Sequence, residues 1–287
     1  MNRLRAIFSV LLASYRRFVA DDGIAMAGYI AFSGLLSVFP FLIFATSLTG
    51  LVLGRQYGGE AIEALFRYAP ENIAETLEPV LREVMRERGG RYLTVSIIGA
   101  IWLASSAFEA FRVAFDRAYG GEGKRHYIAR RLRAIAFVFL GAVVAAVLGV
   151  SIIFAPILLR IAENWSHIRV SGAAVAVSFV LGVLVFVLFL LLMHRFLPSH
   201  RMKGLRLWPG VLVTVTSWVA GAMVFSYYLT LTPTYAITYG TLAGVIITLV
   251  FFYLSGVAVI FGAELNAELI SRRAALRPLN NADIKPI

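Results

Sequence analysis

Leu207–Ala263 reads LWPGVLVTVTSWVAGAMVFSYYLTLTPTYAITYGTLAGVIITLVFFYLSGVAVIFGA, 57 residues without one Asp, Glu, Lys or Arg. A helix crosses the hydrocarbon layer of a bilayer in about 20 residues, so this run holds two crossings. The break falls at Thr230–Tyr239, around Pro233, and predicts spans at 207–230 and 239–263. Working outward, Ile24–Gly54, Tyr92–Phe108, Ala134–Leu159 and Val170–Met193 are also uncharged, the second continuing in apolar register to Phe115. Spans at 24–54, 92–115, 134–159 and 170–193 bring the expected number to six. The whole chain of 287 residues is 60% hydrophobic and 15% charged, with a mean hydropathy of +0.80. Soluble domains carry roughly 45–50% and 25%, so a soluble enzyme is excluded. The absence of cysteine removes disulfides, thiolate metal sites and cysteine nucleophiles together.

The first run would reach about 46 Å as one straight helix at ~1.5 Å per residue. That excess predicts a tilt or a helix bend at Pro40, which cannot donate to the helix ladder, and a bend or break near Ser37-Val38-Phe39-Pro40 is the favoured expectation.

The net charge is +11, and in a soluble protein it would suggest nucleic acid. Six spans divide it differently. Of the 27 Lys and Arg, 19 fall in the N-terminal arm, the second-to-third and fourth-to-fifth connections and the tail, leaving 8 on the other side. The excess of positive residues marks the cytoplasmic side, so both termini are expected there. The outer side balances eight acids against its eight basic residues, and the whole +11 is cytoplasmic. Anionic lipid headgroups, and not nucleic acid, are its expected partners. No protein partner is indicated.

Residues 1–23 form the cytoplasmic arm. Leu4, Ile7, Phe8, Leu11, Leu12, Tyr15, Phe18 and Val19 keep helical spacing between arginines, the pattern of an interfacial helix. Residues 55–91 are the one sizeable polar insertion, expected as two short extracytoplasmic helices, and 264–287 are the cytoplasmic tail. The predicted fold is therefore an all-α polytopic membrane helix bundle, one domain with an interfacial helix and a helical insertion.

The motifs for chemistry fail on inspection. Gly120-Gly121-Glu122-Gly123-Lys124 lacks the outer glycine and the hydroxyl residue of a phosphate loop. None of His126, His167, His194 and His200 has a ligand-type partner at i+3 or i+4, so no metal site, cofactor or catalytic group is predicted. What remains is polarity inside the spans. Glu109 and Arg112 stand i, i+3 with Asp116 beyond them, and Glu264 and Asn266 end the last span. Charges at such depth are costly and face the bundle interior. Two readings of Glu109, Arg112, Glu264 and Asn266 stand open: a polar vestibule meeting substrate or protons, or a clamp between helices. Gly23, Ala27 and Ala31, four residues apart, predict close helix packing.

Several blocks carry a family likeness: Asp21-Asp22-Gly23-Ile24-Ala25-Met26-Ala27-Gly28-Tyr29 running to Ser37-Val38-Phe39-Pro40, Trp102 through Ala110 to Tyr119, Thr238-Tyr239-Gly240-Thr241-Leu242-Ala243-Gly244, and Gly262-Ala263-Glu264-Leu265-Asn266-Ala267-Glu268. With these the chain resembles the YihY/virulence factor BrkB family of bacterial inner-membrane proteins over nearly its whole length. The resemblance implies six spans and cytoplasmic termini, but no established reaction. The family's older ribonuclease label, a tRNA-processing activity, is regarded as misassigned. Transport or lipid handling in the cell envelope is the leading expectation, with an unidentified small molecule or lipid as substrate. A non-transporting envelope scaffold is the alternative, and a ribonuclease ranks last.

Overall fold

The computed structural model describes residues 2–52, 90–121, 126–149, 172–199, 207–231 and 242–275. Every regular element among them is an α-helix: α1 (Asn2–Ala20), α2 (Gly23–Val52), α3 (Gly90–Ala118), α4 (Tyr127–Gly149), α5 (Gly172–Phe196), α6 (Trp208–Leu231) and α7 (Leu242–Ala275). The helices track the uncharged runs because backbone groups that leave water must be satisfied within the segment. Five helices, α3 to α7, are long and apolar enough to cross a membrane. A sixth crossing is counted if α1 and α2, bent 67° at a short break, form one span. The expected insertion at 55–91 lies outside the described residues except for Gly90 and Arg91, which open α3. Most of the turn at 230–239 and the tail beyond Ala275 also lie outside them.

Helix ends fall where local chemistry stops the ladder. Asp22 takes a left-handed φ of 56° between α1 and α2, a conformation a short polar side chain tolerates. The Phe18 ring folds back over Gly23, filling the place a Cβ would need. At the end of α3, Gly120 has φ 67°. The Gly121 amide donates to Asp116 O at 2.8 Å and the Gly120 amide to Arg117 O at 3.1 Å, a glycine-terminated helix end. Pro40 lies inside α2, and the helix continues unbroken through it to Val52.

One end of the bundle gathers the start of α2, the end of α3, the start of α4, the end of α5, the start of α6 and the inner part of α7. The largest core cluster sits there, with Phe115, Met193, Leu197, Val211, Val259 and Ala263 from four helices. A second joins Phe18, Ala27, Ile30, Ala110, Ala114 and Ile260. Close approach depends on small residues. Gly256 of α7 faces Ala27 of α2, where an added Cβ would lie 3.2 Å from the Ala27 Cα. At Gly262, an added Cβ would overlap Thr214 Oγ1 and stand 2.5 Å from the Gly210 carbonyl. Elsewhere long apolar side chains such as Phe179, Leu184, Leu188, Met223 and Val224 are exposed. In water such surfaces would aggregate; in a bilayer they meet lipid tails.

Candidate functional site

The predicted polar residues all lie in this gathered end, but as three separate constellations. In the first, Arg112 donates to Glu109 Oε1 at 2.8 Å and also pairs with Asp116. Asp116 accepts from the Ser199 amide and hydroxyl, each at 2.6 Å, and Arg112 donates to Ser199 Oγ at 3.1 Å. Arg112, Asp116 and Ser199 are buried. The group ties the end of α3 to the chain leaving α5.

Glu264 does not join Arg112. It is fully buried and accepts from Arg17 Nε of α1 at 3.4 Å, and Arg17 also donates to the Ala118 carbonyl at 3.1 Å. One arginine thus fastens the arm to the end of α3 and to the interior of α7. The fastening continues at the surface, where Arg117 meets Asp22 at 3.2 Å and Arg272 donates to Ser9 Oγ and O at 3.0 and 3.1 Å.

Asn266 has a third role. Its Oδ1 accepts from the Gly210 amide at 2.8 Å and its Nδ2 donates to the Leu207 carbonyl at 2.9 Å. The first bond satisfies an amide at the start of α6 that no turn of that helix can reach, and the second adds a donor to a carbonyl that also accepts from the Val211 amide at 3.3 Å. Nδ2 also stands 3.5 Å from the Tyr119 hydroxyl, which lies 2.7 Å from Nδ1 of the fully buried His194. Burial holds the Tyr119 phenol above its ordinary pKa, so it keeps its proton. Glu109 Oε2, Glu264 Oε1 and His194 Nε2 are buried without a hydrogen-bond partner among the described residues. No group of three or more His, Asp or Glu converges as metal ligands would among those residues.

The structure brings Glu109, Arg112, Glu264 and Asn266 to one end of the bundle, with partners that the sequence did not name. Arg17, Tyr119, His194 and Ser199 were missed because they lie far away in the chain. Asp116, at i+4 from Arg112, was in view.

An open groove of about 580 Å³ lies elsewhere, along the exposed face of the other half of α6. Trp218, Ala222, Met223, Ser226, Tyr227 and Thr230 line it. Trp218 is fixed by an Nε1 hydrogen bond to Ser255 Oγ at 2.9 Å and by the rings of Phe186 and Phe251 at 5.4 and 6.0 Å. None of the four predicted polar residues lines this groove.

Comparison with known proteins gives a consistent result. The family described as virulence factor BrkB matches residues 14–285. The ribonuclease-like protein YfkH of Bacillus subtilis is 28% identical over 92% of this chain and 96% of its own length. A UPF0761 membrane protein of Pseudomonas paraeruginosa is 26% identical over 90% of this chain, and the match spans 62% of that longer protein. A UPF0761 membrane protein of Chromohalobacter salexigens is 26% identical over 94% of this chain and 66% of its own. No solved structure matches the chain.

Proposed function

The chain belongs to the virulence factor BrkB family, and on that footing we propose that this integral membrane protein moves or handles a lipid or another apolar molecule. The groove on α6 carries the reading. Ligand sites are typically concave spaces of about 300–1,000 Å³ with apolar walls and a few polar groups. Here Val219, Ala222 and the exposed Met223 form the apolar floor of an open groove, and Trp218, Ser226, Tyr227 and Thr230 supply the polar tips. In this reading α2 to α7 are the six spans, and α1 lies on the inner-membrane surface with both termini cytoplasmic, a placement the charge distribution supports. The buried polar groups act as a lock that keeps the inner end closed while the groove half exchanges its occupant.

The test is flux in proteoliposomes across a panel of labelled lipids and small amphiphiles, comparing the native chain with Ala222→Trp, which fills the groove. Protein-dependent flux that the substitution abolishes supports the proposal; no flux across the panel defeats it. One observation favours a second reading, the envelope scaffold. Glu109 and Arg112 are paired within a packed layer and do not line the groove. Crosslinking in cells that recovers no stable partner would count against it. The ribonuclease reading rests on a relative's name; purified protein is expected to leave tRNA intact.

A further inference from the structure

Four arginines at the gathered end each meet a carboxylate: Arg17 with Glu264, Arg112 with Glu109 and Asp116, Arg117 with Asp22, and Arg272 with Glu268. Arg130 and Arg131 of α4 meet none among the described residues. Arg131 instead lays its guanidinium 3.8 Å from the centre of the Trp102 ring and donates to the Trp102 carbonyl. Arg130 stands 5.9 Å from the centre of the Tyr127 ring. The Nε of each is shielded from solvent without a hydrogen-bond partner among the described residues. A guanidinium has five N–H donors, so two adjacent cations hold several donors for which the described chain supplies no anion.

Their position narrows what the anion is. The uncharged run of α4 begins at Ala134, one turn beyond Arg130. Near its start, Phe137 lies 5.8 Å from Phe108, the last residue of α3 before Glu109. Arg130 and Arg131 therefore stand where the charged start of α4 gives way to its uncharged run, and Arg131 reaches across to Trp102 of α3. Tyr127, Ile128 and Leu132 beside them are exposed, as are Phe139 and Val143 further along the same helix. The first turn of α4 adds its positive end. A phosphate at this boundary accepts from planar guanidinium forks, while the tails attached to it run along Leu132, Phe139 and Val143.

We propose that the start of α4, with Arg130, Arg131 and the Trp102 that orients Arg131, binds the phosphate of an anionic phospholipid headgroup. The site is distinct from the α6 groove, and a protein that transports nothing would still bind there, so its failure and that of the transport reading are separable.

The test is lipid titration of the purified full-length chain in detergent, read by native mass spectrometry. Phosphatidylglycerol, phosphatidylcholine and inorganic phosphate are the probes. The double substitution Arg130→Gln/Arg131→Gln is compared with Arg5→Gln/Arg16→Gln, which removes the same charge from the exposed face of α1. Trp102→Phe is a third variant that keeps both charges. Loss of charge-assisted pairs is expected to weaken phosphatidylglycerol binding about tenfold or more in the α4 variant. The α1 control should stay near the native affinity, Trp102→Phe should fall between, and phosphatidylcholine should bind less well than phosphatidylglycerol. Equal losses in the two double variants would overturn the proposal in favour of diffuse attraction. Inorganic phosphate competing as well as the lipid would overturn the lipid assignment.

Discussion

Arg112→Leu separates the two readings of the polar layer. The guanidinium stands between Glu109, at 2.8 Å, and Asp116, with Ser199 Oγ at 3.1 Å. Removing it strands two carboxylates in a layer with little solvent. Breaking a buried pair by removing one partner costs about 3–5 kcal/mol. At roughly 2–4 °C per kcal/mol for a domain of 150–250 residues, the expected fall in Tm is about 6–20 °C. Thermal unfolding in mild detergent, followed by tryptophan fluorescence, measures it. Adding Asp116→Asn to the variant removes one stranded charge and keeps an acceptor for the Ser199 amide, so part of the loss should return. Arg112→Lys keeps the charge without the fork and should fall between. A melting point within about 2 °C of the native chain would refute the clamp. If flux were lost at the same time, Arg112 would be a vestibule residue.

Further consequences concern the helix contacts. Gly262→Ala must push α6 from α7, because the Gly210 carbonyl is backbone and cannot rotate away; about 1–3 kcal/mol of stability should go. Gly28→Ala, with no atom within 4 Å of the added Cβ, should leave Tm unchanged or slightly higher. Asn266→Ala leaves the Gly210 amide without its partner, while the Leu207 carbonyl keeps the Val211 amide, and should cost about 1–3 kcal/mol. Hydrogen exchange should quicken first at the start of α6. Arg17→Ala unfastens α1 and strands Glu264, so limited proteolysis should cut within residues 1–20 sooner. Adding Glu264→Gln should recover stability without re-fastening the arm.

The substitutions at Arg112 and Arg17 probe what local sequence concealed. Glu109, Arg112 and Asp116 are legible together because helical spacing puts i, i+3 and i+4 on one face. Glu264 and Arg17 are 247 positions apart, and nothing near either residue names the other. The same holds for Asn266, which reads as a polar residue ending a span and proves to be the cap of another helix. Ser255-Gly256 carries no motif, yet Gly256 lets α7 approach Ala27 of α2.

By itself the sequence determined the membrane class, the helical runs and the α6–α7 division. These follow from composition over about 20 consecutive residues, because hydrocarbon rejects charge and demands internally bonded backbone. Only the tertiary structure decided which buried charge faces which. Pairing in a low-dielectric layer depends on distances between helices set by glycine and alanine contacts. That geometry divides the four predicted polar residues among three constellations, puts the groove on the other half of α6, and leaves Arg130 and Arg131 without a carboxylate among the described residues.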